Sequence, residues 1–262
     1  MLRVGVIGCG AIGSELALAV AAGDAGDATL AGVFDLDTGA ALKLAKAAGC
    51  TAAGSLAELL VNRPDVVVEA ASQEAVRSFG ESVVLAGPDI VVLSVGALLD
   101  SELMARLEAA CRKTGARVRV PSGAVLAVDA LKAAKLGGIK SVTLTTRKPP
   151  EALGLAREEL AGNERVLFDG PAAQAVKKFP RNVNVAATIS LAGIGPERTR
   201  VRLIADPNVK RNTHELSVEA ESGSILARTE NAASENPRTS RLAALSAIRL
   251  IRDLGEPVII GT

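Results

Sequence analysis

Aromatic residues are almost missing from this 262-residue chain: they make up 2% of it, with no tryptophan and no tyrosine. Proteins that bind single-stranded nucleic acid stack bases on aromatic faces, so the composition disfavours that class. The net charge of +1 supplies no strong field for nucleic acid or for an anionic membrane. Hydrophobic residues still reach 48%, and we therefore expect a packed core of alanine, valine, leucine and isoleucine.

Residues that bind metals or form disulfides are also scarce. The chain has one histidine, His214, and three cysteines, Cys9, Cys50 and Cys111, without metal-ligand spacing. We expect no metal site, and we expect the reduced thiols of a cytoplasmic protein. The sequence contains no G-x-S-x-G elbow, which argues against a serine hydrolase of the α/β type.

Long apolar runs are missing as well. No run approaches the roughly 18 residues that a membrane-spanning helix needs. The chain opens directly into the strand-like segment LRVGVIG, without the charged and apolar regions of a signal peptide. We therefore expect neither a membrane segment nor a secretory signal.

The first 122 residues alternate short apolar segments with helical patterns. The segments that read as strands are LRVGVIG, LAGVFD, DVVVEAAS, DIVVLS and RVRVPS. Continuous apolar strands separated by helices are typical of a parallel sheet that helices cover on both faces. The pattern predicts an α/β domain over residues 1–122.

The pattern changes over residues 123–236. GAVLAVDALKAAKLGG reads as a helix and SVTLTTRKPP as a strand, and DGPAAQAVKKFP and RNVNVAATISLAG read as short helices. RTRVRLIADP reads as another strand, and HELSVEAESGSILARTE reads as a hairpin with one solvated face. We interpret this region as a smaller α+β domain that carries the substrate and catalytic groups.

The chain closes with a helical pattern over residues 237–255. Leucine and isoleucine side chains form one apolar stripe along it, at Leu242, Leu245, Ile248 and Ile251. An exposed stripe of this kind needs a partner, and the first domain is the candidate on which the helix packs back.

The segment GCGAIG follows the first strand and opens the first helix. Gly8, Gly10 and Gly13 have the G-x-G-x-x-G spacing of a dinucleotide-binding turn. Free backbone N–H groups at the helix start, at Ala11 and Ile12, are expected to face a pyrophosphate. The motif in this context predicts that the first domain is a Rossmann dinucleotide-binding domain.

Asp35 ends the second strand, at the distance from the glycines that suits a ligand of the adenosine ribose. A carboxylate there accepts from the 2′-hydroxyl and repels a 2′-phosphate, so NAD is favoured and NADP is the alternative cofactor. Asp37 is the alternative ribose ligand, or it caps the next helix. Ala71 and Ser72 end the third strand and are expected to pass close to the nicotinamide ribose, although Ser72 also suits a helix cap.

His214 is the single candidate for a proton acceptor that works near neutral pH. It lies beside DPNVKRN, a loop rich in cations and amides. The alternative interpretation is an ordinary, partly buried polar residue near the start of a strand.

The chain resembles the L-aspartate dehydrogenase family over nearly its whole length. The matching segments, in order, are VGVIGCGAIG, VVEAAS, VPSGAV, TTRKPP, FPRNVNVAATISLAG and DPNVKRNTHEL. The resemblance implies that His214 acts in catalysis and that Ala124 and Asn184 contact the nicotinamide. It also implies oxidative deamination of L-aspartate to iminoaspartate, then oxaloacetate and ammonia, with the imine as a supply for NAD biosynthesis.

L-Aspartate carries two carboxylates, so the site needs cations and hydrogen-bond donors. The candidates are Arg147, Lys148, Asn208, Arg211 and Asn212. Two other functions remain open at this point: a dehydrogenase or reductase of the homoserine or dihydrodipicolinate type, and an NAD-sensing protein without turnover. Because small α+β second domains often pair through their sheets, we expect a homodimer.

Overall fold

The computed structural model describes residues 1–179, 184–232 and 240–261, which divide into two units. One unit comprises Met1–Pro121 with Ala243–Thr262, and the other comprises Ser122–Leu242. Within the three described ranges, no helix combines the length and the apolar character that a bilayer crossing requires.

The first unit is built on a parallel sheet. Its strands are β1 (Leu2–Ile7), β2 (Ala28–Phe34), β3 (Ala52–Ala53), β4 (Val66–Glu69), β5 (Asp89–Val92) and β6 (Val118–Arg119). Their order across the sheet is β3-β2-β1-β4-β5-β6, and every neighbouring pair is parallel. This is the strand order of a Rossmann sheet, so the predicted dinucleotide-binding fold is confirmed. The strand order reverses between β1 and β4, which is where proteins of this fold bind ligands, beyond the carboxyl ends of the strands.

Helices follow the strands of this sheet. They are α1 (Ala11–Ala22), α2 (Thr38–Ala48), α3 (Leu56–Val61), α4 (Gln73–Ala86) and α5 (Ser101–Thr114). Asp37, Ser55, Ser72 and Asp100 cap the starts of α2 to α5 with side-chain oxygens that accept from backbone N–H groups. Each such cap contributes about 1 kcal/mol, which explains why these helices begin where the sequence places Asp or Ser.

The second unit is built on a mixed sheet and three helices of its described residues. The strands are β7 (Ile139–Lys148), β8 (Arg165–Pro171), β9 (Thr199–Ala205), β10 (Asn212–Ala220) and β11 (Gly223–Asn231). The helices are α6 (Val128–Gly137), α7 (Ala172–Lys178) and α8 (Asn184–Ala192). The order is β11-β10-β7-β9-β8, in which only the β7–β9 pair is parallel. This confirms the predicted α+β architecture.

Two local predictions in this unit are wrong. Asp169–Pro171 belong to β8 rather than to a helix, because they pair with β9, whose distant sequence position gives no local pattern. The helix predicted from Gly123 begins only at Val128, after Ala127 adopts a left-handed backbone with φ of 62°. Residues 180–183, where the predicted helix over RNVNVAATISLAG begins, lie outside the described residues.

The inner face of β10 carries the core of this unit. Leu216 and Val218 are fully buried, whereas Glu219 on the opposite face is exposed, as the predicted solvated face requires. Leu131 of α6 and Ile189 of α8 join them in one apolar cluster. Each such side chain contributes about 1.5–3 kcal/mol through removal of its surface from water.

The final helix, α9 (Arg241–Asp253), packs its apolar side on the core of the first unit. Ala247, Ile248 and Ile251 lie in that core, but Leu245 is 44% exposed, so the predicted leucine stripe is wrong at this position. The buried positions follow the helical period through alanines, which a search for large side chains overlooks. Residues 237–239 of the predicted helix lie outside the described part of the chain.

Candidate functional site

The glycine turn joins β1 to α1, and two of its glycines are sterically required. Gly8 has φ of +99°, and a Cβ there would lie 2.8 Å from the backbone of Ala70. A Cβ on Gly13 would lie 1.9 Å from the carbonyl oxygen of Gly8. Side chains at these positions would therefore push the helix away from the strand.

Gly10 differs, because the space above it is open. A Cβ on Gly10 would meet no heavy atom of the described chain within 4 Å. Gly10 is also the N-cap of α1, and the first N–H groups of a helix, here those of Ala11 and Ile12, have no acceptor within the helix. An open cradle beneath a positive helix end fits the pyrophosphate of a dinucleotide.

The predicted ribose ligand, Asp35, also holds the glycine turn in place. Its carboxylate accepts from the backbone N–H of Cys9 at 2.6 Å and from that of Asp37 at 2.9 Å. Asp37 itself caps α2 by accepting from Gly39 and Ala40, which is the second role that its position allowed. Burial, and then the charge of Asp35, raise the pKa of the Cys9 thiol to about 12, so this cysteine stays protonated.

Glu69 is a buried carboxylate that the sequence interpretation did not single out. One oxygen accepts from the N–H groups of Ala71 and Ser72, both at 2.9 Å, and the carboxylate also accepts from the backbone and hydroxyl of Ser94. Burial raises its pKa although these hydrogen bonds oppose the rise. The only sequence signal was an acidic residue at the end of an apolar strand. Glu69 fixes the exposed Ala71 and Ser72, and Ser72 also caps α4.

In the second unit, the inner face of the sheet changes from apolar to polar along its length. Residues directly opposite in an antiparallel ladder point to the same face. The apolar rows across β7, β10 and β11 are Val142, Val218 and Ile225, then Leu144, Leu216 and Ala227. The next row is Thr146, His214 and Thr229, which we call the polar row. Lys148 and Asn212 lie one alternation further along their strands, on the same face.

His214 lies in the middle of the polar row and is only 4% exposed. Its Nδ1 forms a hydrogen bond with the Oγ1 of Thr146 at 3.0 Å. Burial, and then the charge of Lys148, lower the pKa of His214 to about 3. This value lies well below that of an unperturbed histidine, because the side chain is desolvated. The imidazole is neutral at physiological pH.

Lys148 is the buried cation of this face. It is 3% exposed, and burial lowers the pKa of its ammonium to about 8. A buried cation near a neutral imidazole is suited to binding an anionic group, since a carboxylate would replace the lost water.

The structure separates the other predicted substrate residues from His214. Arg147 points to the opposite face of β7, where it forms an ion pair with Glu164 at 3.4 Å. Asn208 is exposed and donates to the carbonyl of Gly162, and Arg211 is exposed. Of the five candidates, therefore, Lys148 and Asn212 lie on the His214 face.

The residues predicted to contact nicotinamide lie in the same unit. Asn184 is the first residue of α8 and is half-buried, and its carbonyl accepts from the hydroxyl of Thr188. Ala124 is buried in the loop before α6, and its carbonyl accepts from Thr229 and Asn231. Sequence reasoning missed Thr146, Thr229 and Asn231, because strand residues reveal their neighbours only through the register.

Known proteins resemble both units. A family model described as aspartate dehydrogenase, C-terminal, matches residues 129–254, and one described as homoserine dehydrogenase, NAD binding domain, matches residues 8–121. The L-aspartate dehydrogenase of Methanosarcina mazei is 48% identical over 273 residues and that of Methanocaldococcus jannaschii 40% over 269, each match covering 100% of both chains.

Solved structures give the same result. The aspartate dehydrogenase of Thermotoga maritima superposes with a TM-score of 0.77 at 28% identity, covering 100% of both chains. A myo-inositol dehydrogenase of Corynebacterium glutamicum superposes with a TM-score of 0.57 at 15% identity, covering 97% of this chain and 89% of the other. The second likeness is one of fold alone.

Proposed function

This chain belongs to the L-aspartate dehydrogenase family, and we propose that it catalyses the NAD-dependent oxidative deamination of L-aspartate. The observation that carries the proposal is the buried face that joins His214, Thr146 and Lys148. It combines a proton acceptor with a cation for a carboxylate, as an acidic amino-acid substrate requires.

The first unit supplies the groups for the cofactor. The open cradle at Gly10 and the start of α1 suit the pyrophosphate, and Asp35 suits the ribose hydroxyls. Ala71 and Ser72, held by Glu69, lie at the carboxyl end of β4 beside the crevice where the strand order reverses. Bound NAD supplies the acceptor for the hydride that leaves Cα of the substrate, and the family resemblance assigns Ala124 and Asn184 to its nicotinamide.

His214 acts as the general base. For Nε2 to accept a proton, Nδ1 carries the hydrogen and donates it to Thr146, which fixes both the tautomer and the ring orientation. Nε2 takes a proton from the water that adds to Cα of iminoaspartate. The imidazolium then returns this proton to the amine nitrogen. The neutral imidazole takes the hydroxyl proton as the C–N bond breaks, and ammonia and oxaloacetate leave.

The low pKa of His214 describes the site without its substrate. Burial and the charge of Lys148 both disfavour imidazolium there. L-Aspartate brings two negative charges, which offset the Lys148 charge and raise the basicity of the imidazole. Substrate binding and base strength are thus coupled through Lys148.

Lys148 binds one substrate carboxylate, and Asn212 contributes an amide donor on the same face. A buried ammonium gains more from a carboxylate than an exposed one does, because water competes less for either charge. Asn208 and Arg211, which lie in exposed segments, remain candidates for the second carboxylate, whereas Arg147 lies on the opposite face of β7.

The test mixes purified protein with NAD and L-aspartate and follows nicotinamide absorbance. We expect reduction with L-aspartate and none with homoserine. Turnover of homoserine instead would assign the chain to the rival dehydrogenase class. Tight NAD binding without turnover of any amino acid would favour the NAD-sensing alternative.

Three finer features belong to the same proposal. The frequent pairing of small α+β second domains through their sheets supports a homodimer, to be checked by light scattering after size exclusion. Composition supports a cytoplasmic protein. The family resemblance supports release of iminoaspartate toward NAD biosynthesis, and trapping of the imine during turnover is the check.

A further inference from the structure

We propose that Thr229 and Asn231 are positioning residues that hold the nicotinamide-contacting loop at Ala124 in register with His214. We call this pair the Ala124 clamp. The inference rests on the proposed function, in which Ala124 contacts the nicotinamide. No role follows for these two residues from the turn motif, from the resemblance or from the mechanism above.

The clamp consists of two donors on one acceptor. The Thr229 Oγ1 donates to the Ala124 carbonyl at 3.1 Å, and the Asn231 Nδ2 donates to the same oxygen at 2.9 Å. The Asn231 Nδ2 also lies 3.2 Å from the Thr229 Oγ1, so the two side chains support each other. All three residues are buried. The two donors occupy both lone pairs of the carbonyl oxygen, so they fix the position of the loop at Ala124.

The strand register connects the clamp to the catalytic residue. Thr229 lies directly opposite His214 in the ladder between β10 and β11, and His214 lies directly opposite Thr146 in the ladder between β10 and β7. Asn231 lies opposite Asn212, one alternation further along. A three-stranded ladder is rigid, so the clamp transfers that rigidity to the loop.

The loop needs this support because its own backbone is irregular. Gly123 has φ of +68° and Ala127 has φ of 62°, and residues 121–127 belong to neither a strand nor a helix. A carbonyl held by side chains from a strand 105 and 107 residues away takes its position from the sheet rather than from the loop. Hydride transfer is sensitive to displacements of about 1 Å, so this attachment matters for the reaction.

The clamp makes a specific prediction about the two halves of the cofactor. The adenosine diphosphate half is held by groups of the first unit, whereas the clamp acts only through the loop at Ala124. Loss of the clamp should therefore weaken the binding of NAD but not the binding of ADP-ribose, which lacks the nicotinamide. A general loss of folding would weaken the binding of both ligands.

The experiment measures the affinities of NAD and ADP-ribose by calorimetry for the full chain. Thr229→Val and Asn231→Ala are each expected to lower the affinity for NAD by roughly tenfold, which is about the effect of one hydrogen bond. The affinity for ADP-ribose should stay unchanged. Thr229→Ser keeps the hydroxyl and should restore NAD affinity. Thr199→Val is the control, because Thr199 is a buried threonine that donates to the carbonyl of Gly195 at 2.8 Å.

The inference would be overturned if Thr229→Val and Asn231→Ala bound NAD as tightly as the wild type does. It would also be overturned if the affinities for NAD and ADP-ribose fell equally. If one of the two variants does not fold, the other decides. Aspartate turnover is measured in parallel on the wild type. If the wild type does not oxidise L-aspartate while the variants lose affinity for NAD but not for ADP-ribose, the proposed function is refuted and the clamp is supported. If the wild type oxidises L-aspartate while the variants bind NAD as the wild type does, the clamp is refuted and the proposed function is supported.

Discussion

The imidazole of His214 lies directly across the sheet from Thr146, and its Nδ1 lies 3.0 Å from the threonine Oγ1. Ladder partners cannot drift apart without breaking the sheet, so the ring orientation is set by backbone pairing. The residue that we propose as the general base is therefore a part of the buried sheet face rather than of a loop.

Replacement of His214 by alanine should lower kcat for L-aspartate by about 10² or more, because the general base is lost. Thr146→Val should lower it by about tenfold, the contribution of one hydrogen bond that orients the ring. Steady-state kinetics with both variants is the measurement. Thr145→Val, a buried threonine on the opposite face of β7, is the control and should leave kcat unchanged. Full activity of His214→Ala would return His214 to an ordinary strand residue.

Succinate should bind as a competitive ligand whose affinity depends on the charge of Lys148. Burial lowers the lysine pKa to about 8, so the ammonium is charged below that pH and neutral above it. The dissociation constant should be flat from pH 6 to about 7 and rise by about tenfold per unit above pH 8. Lys148→Met should bind weakly at every pH. The exposed Lys140→Met, on the same strand, should follow the wild type. An unchanged pH profile in Lys148→Met would exclude this lysine from carboxylate binding.

Lys148→Met should also make the unliganded protein more stable. The folded chain lowers the lysine pKa from 10.5 to about 8, so burial of the charge costs about 3 kcal/mol below pH 8. The cost decreases as the pH rises from 8, and it vanishes near the unfolded pKa. Urea unfolding at pH 7 and pH 10 should show a gain that is larger at pH 7. A variant that is less stable at pH 7 would show that the lysine makes stronger interactions than its burial costs.

Gly10→Ala and Gly13→Ala should separate ligand binding from folding. A Cβ on Gly10 enters open space, so the unfolding temperature should stay unchanged while NAD affinity falls by about tenfold or more. A Cβ on Gly13 meets the Gly8 carbonyl at 1.9 Å, and the forced shift should cost about 1–3 kcal/mol of stability. Thermal unfolding and NAD titration of both variants are the measurements. Equal NAD affinity in Gly10→Ala and the wild type would remove the pyrophosphate from this turn.

Asp35 should have two separable effects. Asp35→Asn removes the charge but keeps an oxygen for the Cys9 N–H, so the preference for NAD over NADP should decrease while the turn remains. Asp35→Ala should change the preference similarly and weaken both cofactors, since the turn loses its acceptor. Michaelis constants for NAD and NADP give both quantities. A cofactor ratio that is the same in all three proteins would rule out Asp35 as the ribose ligand.

The glycine turn of the first unit was predictable from sequence because its geometry is local. Gly8, Gly10 and Gly13 lie within six residues, and a turn from strand to helix at that spacing has few solutions. The helix caps at Asp37 and Ser72 were also predictable, because a capping side chain accepts from backbone N–H groups only two or three residues further along the chain. Glu69 was overlooked because its partners on Ser94 are distant in sequence.

The polar row of the second unit depended on long-range pairing. His214 and Thr146 are 68 residues apart, and Asn231 and Ala124 are 107 apart. A shift of one residue in the register would turn a strand residue such as His214 or Asn231 to the other face of the sheet, and no local pattern specifies that register. The same pairing distinguished Lys148 from its neighbour Arg147.

The sequence by itself therefore determined the Rossmann fold, the glycine turn and the family, since each depends on short motifs in a fixed order. Only the tertiary structure decided which polar residues share the face of His214, and that this histidine and Lys148 are buried with lowered pKa values. The physical reason is that strand register sets the neighbours of a side chain and burial sets its charge, and both arise only when distant segments of the chain pack together.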